Sequence, residues 1–214
     1  MRDNIYFVSG IDTNIGKSYA TGYLARLWQE KGERVITQKL VQTGNIGFSE
    51  DIELHRKIMG IEKTIEDKEF LTMPEIFSYP CSPHLAAKID NRDIDFDKIK
   101  NATQVLSQRY DKVIIEGAGG LMVPLREDYL TIDYISENQY PLIFVTGGKL
   151  GSINHTILSL EAIASRNIKL HTLIYNSSFG GDEIISKDSF EFIKNYTKRY
   201  FPYTELIILP QIEI

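Results

Sequence analysis

The chain has 214 residues, 43% of them hydrophobic and 25% charged, a balance that excludes collagen, coiled coil and long disorder and fits one folded domain over residues 1–214. Lys and Arg number 24 against 29 Asp and Glu, a net charge of −5 with no basic run, so neither nucleic acid nor an anionic membrane is an expected partner. A single cysteine, Cys81, excludes an internal disulfide framework, and no apolar stretch approaches the ~18 residues of a membrane span, so a cytoplasmic protein is expected.

Elements alternate along the chain. Ile5-Tyr6-Phe7-Val8 reads as a first strand, and Ala20, Leu24, Leu27 and Trp28 form a helical stripe after it. Arg34-Val35-Ile36-Thr37 predicts the second strand. Residues 44–92, with Pro74, Pro80 and Pro83, are the least regular part, and residues 49–59 predict a helix within them. Phe96, Ile99, Ala102 and Leu106 make the next stripe, followed by the strand Lys112-Val113-Ile114-Ile115. Leu142-Ile143-Phe144-Val145, a stripe of Ile153, Ile157, Leu160 and Ala164, a strand over 170–175, a helix over 186–199 and the strand Leu206-Ile207-Ile208-Leu209 complete the chain. Strands this continuously apolar are covered on both faces, which predicts an α/β fold: an open, mostly parallel sheet with helices on each side. Ligands in such sheets gather at the carboxyl ends of the strands.

The first of those ends carries Gly10-Ile11-Asp12-Thr13-Asn14-Ile15-Gly16-Lys17-Ser18, and a helix follows at once. This is a phosphate-binding loop with five residues rather than four between its glycines. Gly16 lets the backbone approach a phosphate, Lys17 reaches the β- and γ-phosphates, and the Ser18 hydroxyl is a magnesium ligand. Lys39 lies near the end of the second strand, where a cation beside a phosphate loop can neutralise transferring oxygens. Glu116 caps Val113-Ile114-Ile115 and is followed by Gly117-Ala118-Gly119-Gly120, a position for a carboxylate that holds Mg²⁺. Asp51, in the first turn of its helix, could join the set or merely complement the helix dipole. After the fourth long strand, Ser152 is an N-cap candidate, and the free N–H groups beyond it suit a carboxylate as well as ordinary capping. The four histidines show no zinc spacing, and Cys81 has no partner of a recognised pattern.

Five of these segments, in order, resemble the dethiobiotin synthetases, ATP-dependent ligases of biotin biosynthesis. They are the loop Gly10 to Ser18, Lys39-Leu40-Val41-Gln42-Thr43-Gly44 with Asp51 after it, Ser82-Pro83-His84-Leu85-Ala86-Ala87, Glu116 to Gly120, and Gly148-Lys149-Leu150-Gly151-Ser152-Ile153-Asn154-His155. The resemblance implies a P-loop NTPase fold and ring closure from a diamine, CO₂ and ATP through a carbamate and a carbamic–phosphoric anhydride. It implies Lys17 and Lys39 as catalytic cations and Mg²⁺ on Ser18, Asp51 and Glu116. Nucleotide contacts are implied at Thr13, Asn14, Ile15, Gly16, Lys17, Ser18, Gly117, Ala118 and Gly119, and toward the base at Asn176, Ser177, Pro210, Gln211 and Ile212. Substrate contacts are implied at Thr13, Lys39 and Thr43. Gly151, Ser152, Ile153 and Asn154 would bind the substrate carboxylate of a neighbouring subunit, which makes the protein a homodimer.

The sequence departs from that family's pattern in places. Leu40 stands where a proline is usual, Asn14 where a glutamate is frequent, and only Gln211-Ile212-Glu213-Ile214 follow Pro210, which leaves triphosphates other than ATP, such as GTP, open. Two alternatives share the sheet and the loop. A partitioning-type switch ATPase carries a lysine early in its loop, where this chain has Ile11 and Asp12, and it needs a basic or amphipathic surface. An amidase-type ligase of cobyrate synthesis is longer and carries a nucleophilic cysteine motif.

Overall fold

The computed structural model describes residues 4–212, so residues 1–3, 213 and 214, the ends of the expected domain, lie outside the described residues. Its core is a sheet of six parallel strands: β1 (Ile5–Gly10), β2 (Val35–Lys39), β5 (Lys112–Glu116), β8 (Leu142–Gly147), β9 (Leu170–Asn176) and β10 (Glu205–Leu209). Their spatial order is β10-β9-β8-β1-β5-β2. Two pairs of short strands lie outside it: β3 (Gln42–Thr43) pairs with β4 (Ile76–Phe77) in parallel, whereas β6 (Pro124–Arg126) and β7 (Tyr129–Leu130) are antiparallel. The helices are α1 (Lys17–Glu30), α2 (Glu50–Met59), α3 (Ile65–Lys68), α4 (Pro83–Ile89), α5 (Phe96–Arg109), α6 (Thr131–Asn138), α7 (Ser152–Ser165) and α8 (Glu183–Tyr200). Among the described residues no helix is long and apolar enough to cross a membrane.

Alternation along the strands builds two cores. Tyr6, Val8, Ile114, Ile143, Val145 and Ile174 point to the side covered by α1, through Ala20, Leu24 and Trp28, and by Met59 of α2. Ile5, Phe7, Val113, Ile115, Phe144 and Leu173 point to the other side, against α5, α6, α7 and α8. Phe7, Ile115 and Phe144 have no exposed surface, and complete burial of each such side chain contributes about 1.5–3 kcal/mol. β1 lies between β5 and β8, the place where the chain's progress across the sheet reverses, so the loop after β1 opens into the crevice.

All six expected long strands form, five of them with longer carboxyl ends and β10 with the expected end at Leu209. β2 runs on to Lys39 because Gln38 and Lys39 keep their backbones in register with Ile115 and Glu116. The stripe on α7 differs by one position: Ile163 is buried and Ala164 exposed. The irregular stretch 44–92 contains more structure than its prolines predict, because α3, β4 and α4 fold within it and Pro83 opens α4 at its first turn, where its missing N–H costs nothing.

Candidate active site

β1 delivers its loop directly to α1. Gly16 is the N-cap of α1, with φ 93°, and no side chain caps this end, so the first-turn N–H groups face the crevice as an anion site. A side chain at residue 16 would be strained at that φ and would also strike the amide of Asn176. Ile15 is fully buried in the core and pins the loop from beneath. Lys17 is 7% exposed and its Nζ donates to the Asp12 carbonyl at 2.7 Å. Burial, and then the charge of Lys39, pull the Lys17 ammonium from the usual 10.5 down to about 8.

Four further groups converge beside Lys17. The parallel register of β2 and β5 makes Lys39 and Glu116 Cα partners, and Lys39 Nζ lies 2.8 Å from Glu116 Oε1. The same ammonium lies 2.6 Å from Asp51 Oδ2, on the first turn of α2, and donates to the Gly117 carbonyl at 3.3 Å. Ser18 Oγ is 2.6 Å from Asp51 Oδ1 and 2.9 Å from Glu116 Oε1. Burial alone would lower the pKa of Lys39, but Glu116 and Asp51 outweigh it and hold it above the ordinary lysine value. Burial alone would raise that of Glu116, but Lys39, and after it His55, hold it far below the usual carboxylate range.

A histidine completes the cluster that motif reading passed over. His55 is fully buried, its Nε2 2.7 Å from Glu116 Oε2 and its Nδ1 3.0 Å from Thr37 Oγ1. It lies four residues after Asp51 on α2, the spacing that puts two side chains on one helix face, and that was its signal in the sequence. The next residue, Arg56, donates to Thr37 Oγ1 at 2.8 Å and forms a bidentate pair with buried Asp67, both bonds 2.8 Å.

Lys17, Ser18, Lys39, Asp51 and Glu116 line a cavity of about 730 Å³ together with Thr13, Asn14, Thr43, Ala118 and Gly119. Pro80, Cys81 and Ser82 form a wall of it, so the irregular stretch closes one side of the site. The donor set of two carboxylates and one hydroxyl suits a hard, oxygen-seeking cation such as Mg²⁺. Among the described residues no group of three His, Cys, Asp or Glu side chains forms a metal cage, so such an ion would complete its shell from phosphate and water.

Other expected residues lie elsewhere. Asn176 Nδ2 donates to the Ile15 carbonyl at 2.8 Å and Asn176 Oδ1 accepts from the Ser178 N–H, so this side chain braces the phosphate loop. Leu209 pairs with Asn176 across β10 and β9, which brings Pro210, Gln211 and Ile212 out beside Asn176 and Ser177, away from the 730 Å³ cavity. Ser152 is not an N-cap: Gly151, with φ 96°, takes that place, and Ser152 is buried with its N–H bonded to the Lys149 carbonyl. The left-handed turn at Gly151 supplies the geometry that a serine at 152 was expected to supply. Gly151 to Asn154 line neither the first cavity nor a second one of about 590 Å³, which begins at the next residue, His155, and is lined also by Thr13, Met122 and Leu158.

A family model described as an AAA domain matches residues 4–213. The chain is 48% identical to ATP-dependent dethiobiotin synthetase BioD 2 of Pasteurella multocida over 98% of its own length and 99% of that protein. It is 54% identical to the protein of the same name from Haemophilus influenzae, over 80% of this chain and 90% of the other, and 48% identical to ATP-dependent dethiobiotin synthetase BioD of Chlorobaculum tepidum, over 94% and 84%. Among solved structures, a ParA family ATPase from Chlorobium tepidum is similar with a TM-score of 0.54 at 15% identity, over 99% of this chain and 86% of that one. The signal recognition particle receptor FtsY of Elizabethkingia anophelis gives 0.54 at 14% identity, with this chain spanning 60% of its length. Likeness at that identity extends to the P-loop fold alone.

Proposed function

This chain belongs to the family of ATP-dependent dethiobiotin synthetases, and on that premise we propose that it closes the ureido ring of dethiobiotin from 7,8-diaminononanoate and CO₂ at the expense of ATP. The observation that carries this reading is the meeting of Lys17, Lys39, Ser18, Asp51 and Glu116 around one cavity at the end of the phosphate loop.

The chemistry explains why such a site is needed. One amine of the diamine attacks CO₂ and loses a proton, giving a carbamate. A carbamate oxygen then attacks the γ-phosphorus, the bond to ADP breaks, and a carbamic–phosphoric anhydride results. The second amine attacks its carbonyl carbon, phosphate leaves, and the ring closes. The difficult encounter is carbamate with triphosphate, since two unit charges 4 Å apart repel by about 1 kcal/mol in water and about 4 kcal/mol at an intermediate dielectric. Lys17 meets the phosphates from the loop side, and Lys39 can bridge the carbamate and the γ-phosphoryl group. Ser18, Asp51 and Glu116 fit Mg²⁺, which when bound would neutralise phosphate charge. Thr13 lines both cavities, so it supports a diamine whose polar end lies by Lys39 and Thr43 and whose aliphatic chain continues toward the second cavity.

That second cavity supports the homodimer as part of the proposal. Leu158, 63% exposed, and Met122, 49%, line it, and Leu150, 79% exposed, precedes Gly151; a second copy of the chain would cover these apolar side chains. The uncapped start of α7 would then receive the substrate carboxylate. On this reading the protein works in the cytoplasm on small molecules, with no nucleic acid or membrane partner. The base of ATP would rest by Asn176, Ser177 and residues 210–212. Incubation with the diamine, bicarbonate, Mg²⁺ and ATP tests the reading: ADP, phosphate and the cyclic urea should appear in equal amounts, and phosphate release indifferent to the diamine would refute it.

A further inference from the structure

We propose that His55 is a positioning residue of this site, whose buried imidazole holds the Glu116 carboxylate in the orientation that leaves Oε1 facing Ser18 and Lys39. The inference rests on the proposed reading of Glu116 as a magnesium ligand.

The hydrogen-bond directions follow from the donors present. A carboxylate only accepts, so His55 Nε2 carries the hydrogen toward Glu116 Oε2 at 2.7 Å. Arg56 only donates, so Thr37 Oγ1 accepts from its Nη1 at 2.8 Å, and the same hydroxyl is hydrogen-bonded to His55 Nδ1 at 3.0 Å. Arg56 is fixed in turn by its fork on Asp67. The orientation of Glu116 is thereby tied through His55, Thr37 and Arg56 to a buried ion pair under α2. His55 has no wall in the 730 Å³ cavity, so it acts through Glu116 and not on a substrate. Without it, Oε2 would be a buried charged oxygen lacking its donor, and the carboxylate would turn to share both oxygens with Lys39 and Ser18. The helix that supplies Asp51 to the cavity supplies His55 one turn later, so one element places a carboxylate and braces the other.

The test compares His55→Leu, His55→Gln and Glu116→Gln in the full chain, titrating ATP with and without Mg²⁺ by calorimetry and recording unfolding temperatures without ligand. His55→Leu should raise the Mg²⁺ concentration at half-saturation by about 10- to 100-fold, the range for removal of a group that orients a metal ligand, and leave metal-free ATP binding unchanged. His55→Gln, whose amide can still donate to Oε2, should restore most of the loss. A His55→Leu protein with the parental Mg²⁺ requirement, beside a Glu116→Gln protein whose requirement has risen, overturns the inference alone. Unchanged requirements in both overturn the reading of the cavity as well. A His55→Gln protein that behaves like His55→Leu overturns the hydrogen bond as the cause. Should His55→Leu not fold, His55→Asn takes its place, since its amide falls short of Oε2, and equal requirements in the Asn and Gln variants overturn the inference.

Discussion

Lys39 and Glu116 are Cα partners on adjacent parallel strands, and their side chains meet at 2.8 Å with Asp51 on the far side of the ammonium at 2.6 Å. The cation proposed to meet the reacting anions is thus held by the two carboxylates that fit a metal. The pairing keeps Glu116, 1% exposed, ionised in a place where an unpaired charge would be costly. It also means that Lys39 can turn toward substrate only when something else compensates those carboxylates.

Lys39→Met follows from that relationship. Turnover should fall by at least about 10²–10³, the scale of losing one donor aimed at developing charge, while ATP binding persists through the loop and α1. The variant leaves Glu116 without its ammonium, so it should also be less stable by about 3–5 kcal/mol in the absence of metal. Added Mg²⁺ should raise its unfolding temperature more than that of the parent. Rates and thermal melts with and without Mg²⁺ check both halves, and unchanged turnover would remove Lys39 from the reaction.

Lys17 sets a pH dependence whose sign is fixed by its lowered value of about 8 against 10.5 in the unfolded chain. Between those values the unfolded state binds more protons than the folded one, so the contribution of this group to stability rises with pH through that window and is smallest below pH 8. Binding of an anion runs the other way. Below 8 Lys17 is charged and ATP affinity should be flat; above it, binding must take up a proton, and affinity should fall by up to about tenfold per pH unit. Calorimetry in two buffers of different ionisation enthalpy counts that proton, and its absence at pH 9 would show that Lys17 does not meet the phosphates.

Much of this was legible beforehand because it is written in local chemistry. Continuous apolar runs place six strands, and Gly16-Lys17-Ser18 after a buried strand identifies the phosphate loop without reference to any partner. What escaped depends on register or on distant contact. Gln38 looks polar enough to end β2, yet pairing with β5 carries the strand through it to Lys39. Ser152 has the chemistry of a cap, but the left-handed turn at Gly151 takes the position. Asn176 ends its strand as expected, but that its amide also braces the phosphate loop through Ile15, 161 residues away, shows only in the fold. His55 was set aside because its spacing makes no zinc site, when its value lay in facing Glu116, 61 residues away in the chain.

Arg56 and Asp67 give a prediction about stability. Both are almost fully buried and joined by two hydrogen bonds, and Asp67 also accepts from Thr72. Arg56→Met leaves Asp67 buried without its charge partner and should cost about 3–5 kcal/mol, whereas Arg56→Met with Asp67→Asn should recover a large part of that loss. Urea unfolding of the two variants and the parent checks the order. Equal stability of the single and double variants would show that Asp67 is carried by Thr72 and the backbone instead.

Leu158 separates the proposed dimer from the chemistry of the cavity. It is 63% exposed on α7, in the wall of the second cavity and not of the one that Lys17 and Lys39 line. Leu158→Lys puts a charge into this apolar surface on both subunits of a two-fold arrangement, which disfavours association by lost apolar burial and by the cost of covering the charge. The variant should sediment as a monomer and fold as well as the parent, because an exposed leucine contributes little to the core. ATP binding should be retained. If the substrate carboxylate is received by Gly151 to Asn154 of the second subunit, the KM for the diamine should rise by at least about tenfold, the cost of one charge-assisted hydrogen bond, with ATP affinity unaltered. A monomer with the parental KM would show that each subunit binds its diamine alone, and an unchanged dimer would place the interface on another face.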